Sequence, residues 1–281
     1  MKSSVCLLFC CICCWLSPHA QVYENDAGRR EKLFIYEVKQ LDEFFERFND
    51  EPNSFIRKIY AEKKTKFNIK RQDLIRSLFN YENKIFKPGA IDSFVTVAMN
   101  YRMPNSQNFY GKDWYAEALC DFEYNGVAIN IPVVLVINTD ENHRSKWMIL
   151  AANPPPLKQT TTLQFKRSGY NSSKFISASS HETAFIELER ILKDKSAFSD
   201  YTESGFSQND RSLQFYSAVV QNQLKFKTVK KIKYHFLQVE NYIFTVERFT
   251  RNTLNAGWLI NSLKTATVDQ KEAYLKNNLG I

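Results

Sequence analysis

Three carboxylates in strand-like segments are the side chains best placed for acid–base chemistry. They are Asp121 and Glu123 in one segment and Glu247 in another. A carboxylate held in an apolar cavity opposite an acidic hydroxyl can act as a general base. By strand alternation, Asp121 and Glu123 share a face with Glu117. The opposite face carries only uncharged side chains: Ala116, Ala118, Cys120 and Phe122. The pattern therefore favours solvated carboxylates over catalytic ones.

A lysine-rich segment from Leu224 to Phe236 offers a second chemistry, the binding of anions. With a period of two, one face carries four lysines: Lys225, Lys227, Lys231 and Lys233. Residues 151–281 carry 18 basic and 11 acidic side chains, a net +7, whereas residues 21–150 carry 19 of each. The segment is either a half-buried strand with a solvated lysine face or a basic stripe for acidic lipid or polysaccharide. Lysines without interleaved arginines make nucleic acid an unfavoured partner.

Trp147 and Trp258 are the aromatic side chains that can line a ligand pocket, although tryptophans in apolar strands more often pack in a core. No dinucleotide, phosphate-loop or hydrolase-elbow motif is present. The histidines beyond the leader lack the spacing of a zinc site: His143, His181 and His235. His143 in a turn and His181 at a helix start are predicted to be surface or cap residues, and His235, on the lysine-bearing face of its strand, is predicted to face solvent. The sequence therefore predicts no metal and no cofactor.

Residues 1–20 have the three parts of a secretory signal peptide. A short start with Lys2 precedes an apolar run from Val5 to Leu16, and Ala20 is a small residue at the cleavage position. Twelve helical residues cover about 18 Å, too little for a hydrocarbon core of about 30 Å, so no permanent membrane span is predicted. A lipoprotein signal is the less favoured alternative. Five of the six cysteines lie in this leader, so we expect an exported protein, periplasmic or secreted, with Cys120 unpaired.

The elements that position these side chains fall into two halves. Residues 21–152 are predicted to form an N-terminal α+β domain. Helical spacing indicates helices at 31–51, 54–64 and 70–82. Strand-like runs follow at 94–99, 114–124, 127–138 and 146–151. Asn125-Gly126 predicts a β-hairpin, because a type I′ turn needs positive φ at both central positions.

Residues 153–180 contain three consecutive prolines near their start, Pro154 to Pro156, and are predicted to be a linker or long loop. Residues 181–281 are predicted to form a second, smaller α+β domain. Ser179 and Glu182 fit a capping box that opens a helix at 182–195. A helix or strand, two hairpin strands, a Trp-bearing strand and a helical tail follow, at 210–221, 225–238, 242–250, 257–263 and 268–277.

Each half runs from an amphipathic helix through a hairpin to a Trp-bearing last strand. The first half carries residues 44–49, 124–127 and 146–150, and the second carries 186–191 and 256–260. This order resembles the nuclear transport factor 2-like superfamily, which includes cystatin-like α+β domains and ketosteroid isomerase-like enzymes. The resemblance implies two tandem domains, each with a curved antiparallel sheet around its helix. The resulting cone-shaped cavity serves for ligand binding, for catalysis or simply as core.

The export signal and the lack of catalytic motifs favour a non-catalytic envelope protein that binds a protein partner or a small ligand. Two alternatives stay open. One is a small-molecule isomerase or hydrolase that uses the cone-shaped cavity. The other is an anion-binding protein that uses the lysine face.

Overall fold

The architecture is α+β, as predicted, with helices around a seven-stranded antiparallel sheet. The computed structural model describes residues 36–62, 69–87, 89–99, 107–139, 144–158, 160–166 and 174–281. The predicted signal peptide and His143 lie outside these residues. The α-helices of this part of the chain are α1 (Leu41–Asn49), α2 (Phe55–Glu62), α3 (Arg71–Ser77), α4 (Ala90–Ala98), α5 (Glu187–Lys193), α6 (Asp210–Val220) and α7 (Val268–Tyr274). A π-helical turn, Leu275–Leu279, continues α7.

One sheet joins the two halves of the chain. Its strands are β1 (Trp114–Tyr124), β2 (Val127–Thr139), β3 (Ser145–Ala152), β4 (Ile176–Ser177), β5 (Leu224–Phe236), β6 (Tyr242–Phe249) and β7 (Gly257–Thr265). Their spatial order is β4-β3-β2-β1-β5-β6-β7. The central pair, β1 with β5, runs antiparallel from Trp114 opposite Phe236 to Tyr124 opposite Leu224. The predicted pair of separate domains is therefore not confirmed, because β1 and β5 connect the halves.

A single hydrophobic core also spans both halves. Leu41, Phe44, Phe45 and Phe48 repeat at steps of three and four, so α1 buries one apolar face against the sheet. The Phe44 ring stacks on Phe236 of β5 at 5.6 Å, and Phe48 lies parallel to Phe244 of β6 at 6.1 Å. These aromatic rings fill the space between α1 and the sheet, which is where the resemblance implied a cone-shaped cavity.

The N-terminal segment is joined to the last strand by backbone contacts at Gly257. Val38 donates its N–H to the Ala256 carbonyl at 3.1 Å, and Trp258 donates to the Val38 carbonyl at 2.8 Å. Gly257 has a φ of 86°, and a Cβ at this position would overlap the backbone of Val38. Glycine is therefore required here both for its conformation and for the close approach.

Two local predictions are wrong. The apolar run 94–99 lies mostly in helix α4 instead of a strand. Short apolar runs do not distinguish the two structures, and here Phe94, Val95 and Ala98 form one buried helical face. The predicted helix from Glu182 starts only at Glu187, since Ala184 and Phe185 have positive φ angles. This turn buries Phe185 completely against Trp147, with ring centroids 5.1 Å apart.

The segment predicted as a linker packs on the core where the structure describes it. Leu157 is buried, and Ile176 pairs with Trp147 at the edge of the sheet. Phe165 packs against Phe206, with ring centroids 5.7 Å apart. Of the helices in the described residues, none is long and apolar enough to cross a bilayer.

Candidate functional site

The candidate carboxylates and lysines meet on the outer face of the sheet, opposite the core. Each acidic side chain there contacts a lysine of β5. Glu123 pairs with Lys225 at 3.2 Å and with Lys227 at 2.9 Å. The other pairs are Asp121 with Lys230 at 2.9 Å, Glu117 with Lys233 at 3.4 Å, and Glu247 with Lys231. This surface, the charged ladder, contains both groups that the sequence singled out separately.

Two β-bulges shift the lysines relative to a strict period of two. The register between β1 and β5 skips Lys227 and Lys230, which therefore have no directly opposite residue. The bulge at Lys230 adds a fifth lysine to the ladder. It also allows Lys230 to reach Asn130 on β2, at 3.1 Å.

The lysines favour the ionised form of their partners. Hydrogen bonds from Lys227 and Lys225 lower the pKa of Glu123. Burial opposes the ionisation of Glu247, but hydrogen bonds from Lys231 and Asn261 outweigh it and the pKa is lowered. A general base in a cavity needs the opposite shift. The three candidate carboxylates therefore lie on the outer face of the sheet, each beside a lysine, and not in an apolar cavity of the described residues. Glu247 is buried at its position on this face.

His235 is buried, although the sequence predicted a surface position. It does lie on the lysine-bearing face, but α7 covers that end of the sheet. Its Nδ1 is 2.7 Å from the hydroxyl of Tyr274, and its Nε2 is 3.5 Å from Glu117. Burial is the main cause that raises the pKa of Tyr274 to about 12. His235 therefore joins α7 to the sheet.

The two candidate tryptophans have different surroundings. Trp147 is fully buried, donates its indole N–H to the Ala178 carbonyl at 3.1 Å, and packs on Trp114. It is a core residue. Trp258 lines a cavity of about 250 Å³, hereafter the Trp258 cavity. Its ring contacts that of Tyr234, with centroids 5.0 Å apart.

The Trp258 cavity combines apolar walls with polar groups. Leu41 at the start of α1 and Ile232 of β5 contribute apolar surface. Arg248 lies directly opposite Trp258 in the pairing of β6 with β7. It is exposed and has no ion pair or hydrogen bond within the described residues. The cavity therefore presents an available guanidinium group beside an indole ring.

His181 lies at the other side of the cavity and is also buried, contrary to the predicted surface position. Its side chain is 4% exposed. Its Nδ1 is 2.8 Å from the Ala178 carbonyl, whereas its Nε2 has no hydrogen-bond partner among the described residues and lies 3.4 Å from Asp42 Oδ1. Glu182 completes a cluster with these two residues, with ligand atoms all within 4.8 Å of one another.

The hydroxyl of Tyr234, whose ring contacts Trp258, is a second buried polar atom without a hydrogen bond within the described residues. Burial raises the pKa of Tyr234, and the negative charge of Asp42 adds to the effect. Buried polar groups are normally hydrogen-bonded, so two unpartnered atoms near one cavity indicate a place where a ligand, an ion or water binds.

Among the larger cavities of the described residues are two of about 500 and 830 Å³, neither of which is lined by a tryptophan. In the first, Arg47 already donates to the carbonyls of Tyr36 and Glu37, at 2.9 and 3.0 Å. Burial lowers the pKa of this guanidinium. In the second, Asn209 donates to the Gly280 carbonyl at 2.5 Å. Arg47 and Asn209 therefore bond within the protein, and the exposed Arg211 and Lys276 of the second cavity have no aromatic ring beside them in its lining.

Sequence reasoning identified Trp258 but missed Arg248, His181 and Glu182, which also line the Trp258 cavity. It also missed Asp42, which lies beside His181. The adjacent pair His181-Glu182 was a weak signal, but Asp42 is distant in sequence and no spacing connects it to them. Comparison with known protein families, with curated proteins and with solved structures gave no match. The resemblance to the nuclear transport factor 2-like superfamily therefore stays a prediction.

Proposed function

We propose that this protein is an exported, non-catalytic binding protein that holds a small anionic ligand in the Trp258 cavity. The main observation is the guanidinium of Arg248, which has no partner within the described residues and lies opposite Trp258. Arginine binds carboxylates and phosphates in a two-pronged geometry, and an indole ring supplies an apolar surface for the rest of the ligand.

The size of the cavity limits the ligand. A volume of about 250 Å³ is below the range typical of sites for drug-sized molecules. Since one water molecule occupies about 30 Å³ of liquid volume, roughly eight water-sized units fit. A carboxylate or phosphate on a short alkyl chain or a single ring meets this limit. Ile232 and Trp258 would contact the apolar part, with Arg248 at the anion.

A catalytic role has less support, because the carboxylates proposed for it lie elsewhere. Asp121, Glu123 and Glu247 are on the charged ladder, and the pKa values of Glu123 and Glu247 are lowered by their lysine partners. The aromatic rings of α1, β5 and β6 fill the space in which the isomerase or hydrolase hypothesis needs a cavity. The binding hypothesis needs no such cavity.

The test is calorimetric titration with benzoate, phenyl phosphate and hexanoate, with benzyl alcohol as the uncharged control. We expect at least one anion to bind with one site per chain, and benzyl alcohol to bind more weakly. Arg248→Gln should weaken binding by about tenfold or more, because it removes a charge-assisted contact. Lys227→Gln, which removes a cation from the charged ladder, should leave the affinity unchanged. If no anion binds, or if Arg248→Gln binds as tightly as the parent protein, the proposal fails.

Anion binding through the lysine face is the second candidate. Five lysines face four carboxylates on the charged ladder, so a small positive excess remains. A variant with Lys225, Lys227 and Lys233 changed to alanine tests it with dextran sulfate at low salt; Lys231 stays in place because it also lines the Trp258 cavity. Because each of these lysines already contacts a carboxylate, we expect unchanged affinity. A large loss would favour the lysine face over the Trp258 cavity.

A further inference from the structure

The cluster of Asp42, His181 and Glu182 contains an imidazole nitrogen in an unusual state. The side chain of His181 is more than nine-tenths buried, and its Nε2 has no hydrogen-bond partner in the part of the chain that the structure describes. The carbonyl of Ala178, 2.8 Å from Nδ1, can only accept a hydrogen bond, so Nδ1 carries a proton. In the neutral ring the lone pair is then on Nε2, the atom that faces the two carboxylates.

This arrangement is the one that a metal-binding histidine needs. Such histidines donate their second ring N–H to a backbone carbonyl or a carboxylate, which fixes both the tautomer and the ring orientation. Ala178 provides that carbonyl for His181. The remaining two groups are carboxylates, which together with imidazole are common zinc ligands.

The distances also match a small coordination sphere. Zinc binds nitrogen and oxygen ligands at about 2.0–2.2 Å, which places two ligands of a tetrahedron about 3.3–3.6 Å apart. His181 Nε2 and Asp42 Oδ1 are 3.4 Å apart. The ligand atom of Glu182 lies within 4.8 Å of both. Asp42 and Glu182 are exposed, so their side chains are free to change rotamer around an ion.

We infer that Asp42, His181 and Glu182 form a binding site for one divalent transition-metal ion, with zinc as the best fit. A neutral imidazole and two carboxylates balance the two positive charges of the ion. Three protein ligands leave a fourth position open, as in zinc sites that bind an exchangeable group. His181 and Glu182 also line the Trp258 cavity, so the open position is within reach of a molecule bound there.

The site connects two parts of the chain that are distant in sequence. Asp42 lies in the first turn of α1, whereas His181 ends the 3₁₀ helix Ala178–His181 and Glu182 follows it. An ion held by all three residues binds only the folded protein, so it stabilises the fold as well. This inference does not depend on the anionic ligand proposed above, because the probe is zinc alone.

The experiment is calorimetric titration of zinc into the metal-free full-length protein, with the five leader cysteines changed to serine so that their thiols take no metal. We expect one zinc ion per chain and a higher melting temperature in its presence. Asp42→Asn and Glu182→Gln should each weaken zinc binding by about tenfold or more. Both positions are exposed, so these variants should fold normally. Glu272→Gln, which removes an exposed carboxylate of α7, is the matched control and should bind as the parent does.

Two results would overturn the inference. One is no stoichiometric zinc binding by the folded parent protein, as expected if His181 only forms an ion pair with Asp42. The other is zinc binding that Asp42→Asn and Glu182→Gln leave unchanged, which would place the ion at other histidines. The titrations with benzoate, phenyl phosphate and hexanoate are made without zinc, so failure of the metal site and failure of the anion site are separate results.

Discussion

At the level of single residues, histidines show most clearly what strand and helix patterns leave out. The alternation in β5 placed His235 correctly on the face of the lysines. It did not reveal that α7 covers this end of the face, with Tyr274 2.7 Å from the ring. His181 was assigned to a helix start, but the chain turns at Ala184 and Phe185 and buries it. Burial depends on distant segments, and no local pattern contains that information.

A pH dependence follows from the carboxylates of the charged ladder. The pKa of Glu247 is lower in the folded protein than its ordinary value of 4.5, so the unfolded chain binds its proton first as the pH falls. The stabilisation by Glu247 is therefore complete above pH 4.5 and is lost as the pH decreases through the folded pKa. Glu117 behaves in the same way, since His235 and Lys233 outweigh its burial.

The measurement is the free energy of urea unfolding at neutral pH and at about pH 3.5. The free energy of unfolding of the parent protein should be lower at the acidic pH than at neutral pH. The decrease should be smaller in Glu247→Gln, because one titrating group has been removed. Glu272→Gln, at an exposed position without an ion pair in the described residues, should lose as much as the parent. An equal loss in Glu247→Gln and the parent would show that the pair with Lys231 does not contribute as described.

At the level of elements, the sequence predicted local structure well and pairing between distant strands poorly. The Asn125-Gly126 hairpin is confirmed, with φ angles of 48° and 85° at its two central residues. Segments 114–124 and 127–138 are strands as predicted. The pairing of β1 with β5 was not predicted, because the two strands are about a hundred residues apart and no turn connects them. The contact of Asp121 with Lys230 depends on that pairing.

The join between the N-terminal segment and β7 gives a prediction about two glycines. Gly257 and Gly126 both have positive φ, but only at Gly257 would a Cβ meet other atoms, those of Val38. Gly126→Ala should therefore cost about 1 kcal/mol in the free energy of unfolding, from the strained backbone alone. Gly257→Ala should cost about 3 kcal/mol or more, because Val38 must also move. Urea unfolding of both variants measures the difference, and equal losses would contradict the close contact.

At the level of the whole molecule, the main correction concerns the number of cores. The similar order of elements in the two halves predicted two domains, each with its own sheet. Apart from the segment 94–99 and the helix start at Glu182, the main elements of each half are as predicted, but the central position of β1 next to β5 unites the halves. One core then contains Phe44 from the first half and Phe236 and Phe244 from the second. The two halves share a sheet because an edge strand of one half pairs with an edge strand of the other. The amino-acid composition of the halves does not show which strands pair.

A shared core predicts that both halves unfold together. Cys120 in β1 reports on the first half. Burial is the main cause that raises the pKa of its thiol to about 12. The thiol should therefore resist thiol reagents until the protein unfolds. Trp258 in β7 reports on the second half. With the leader cysteines removed, the urea midpoints for Cys120 modification and for the Trp258 indole N–H signal in a ¹H–¹⁵N spectrum should coincide; fluorescence would also include Trp114 and Trp147 of the first half. Two separate midpoints would restore the two-domain prediction.

The proposed binding site is tested most directly by the indole N–H signals in a ¹H–¹⁵N spectrum of the labelled protein. The indole groups of Trp114 and Trp147 donate to the carbonyls of Phe109 and Ala178 inside the core, which makes them internal controls. Addition of an anion that binds in the calorimeter should shift the Trp258 signal and leave those two in place. A bound anion that leaves the Trp258 signal unchanged would contradict the assignment of the ligand to this cavity.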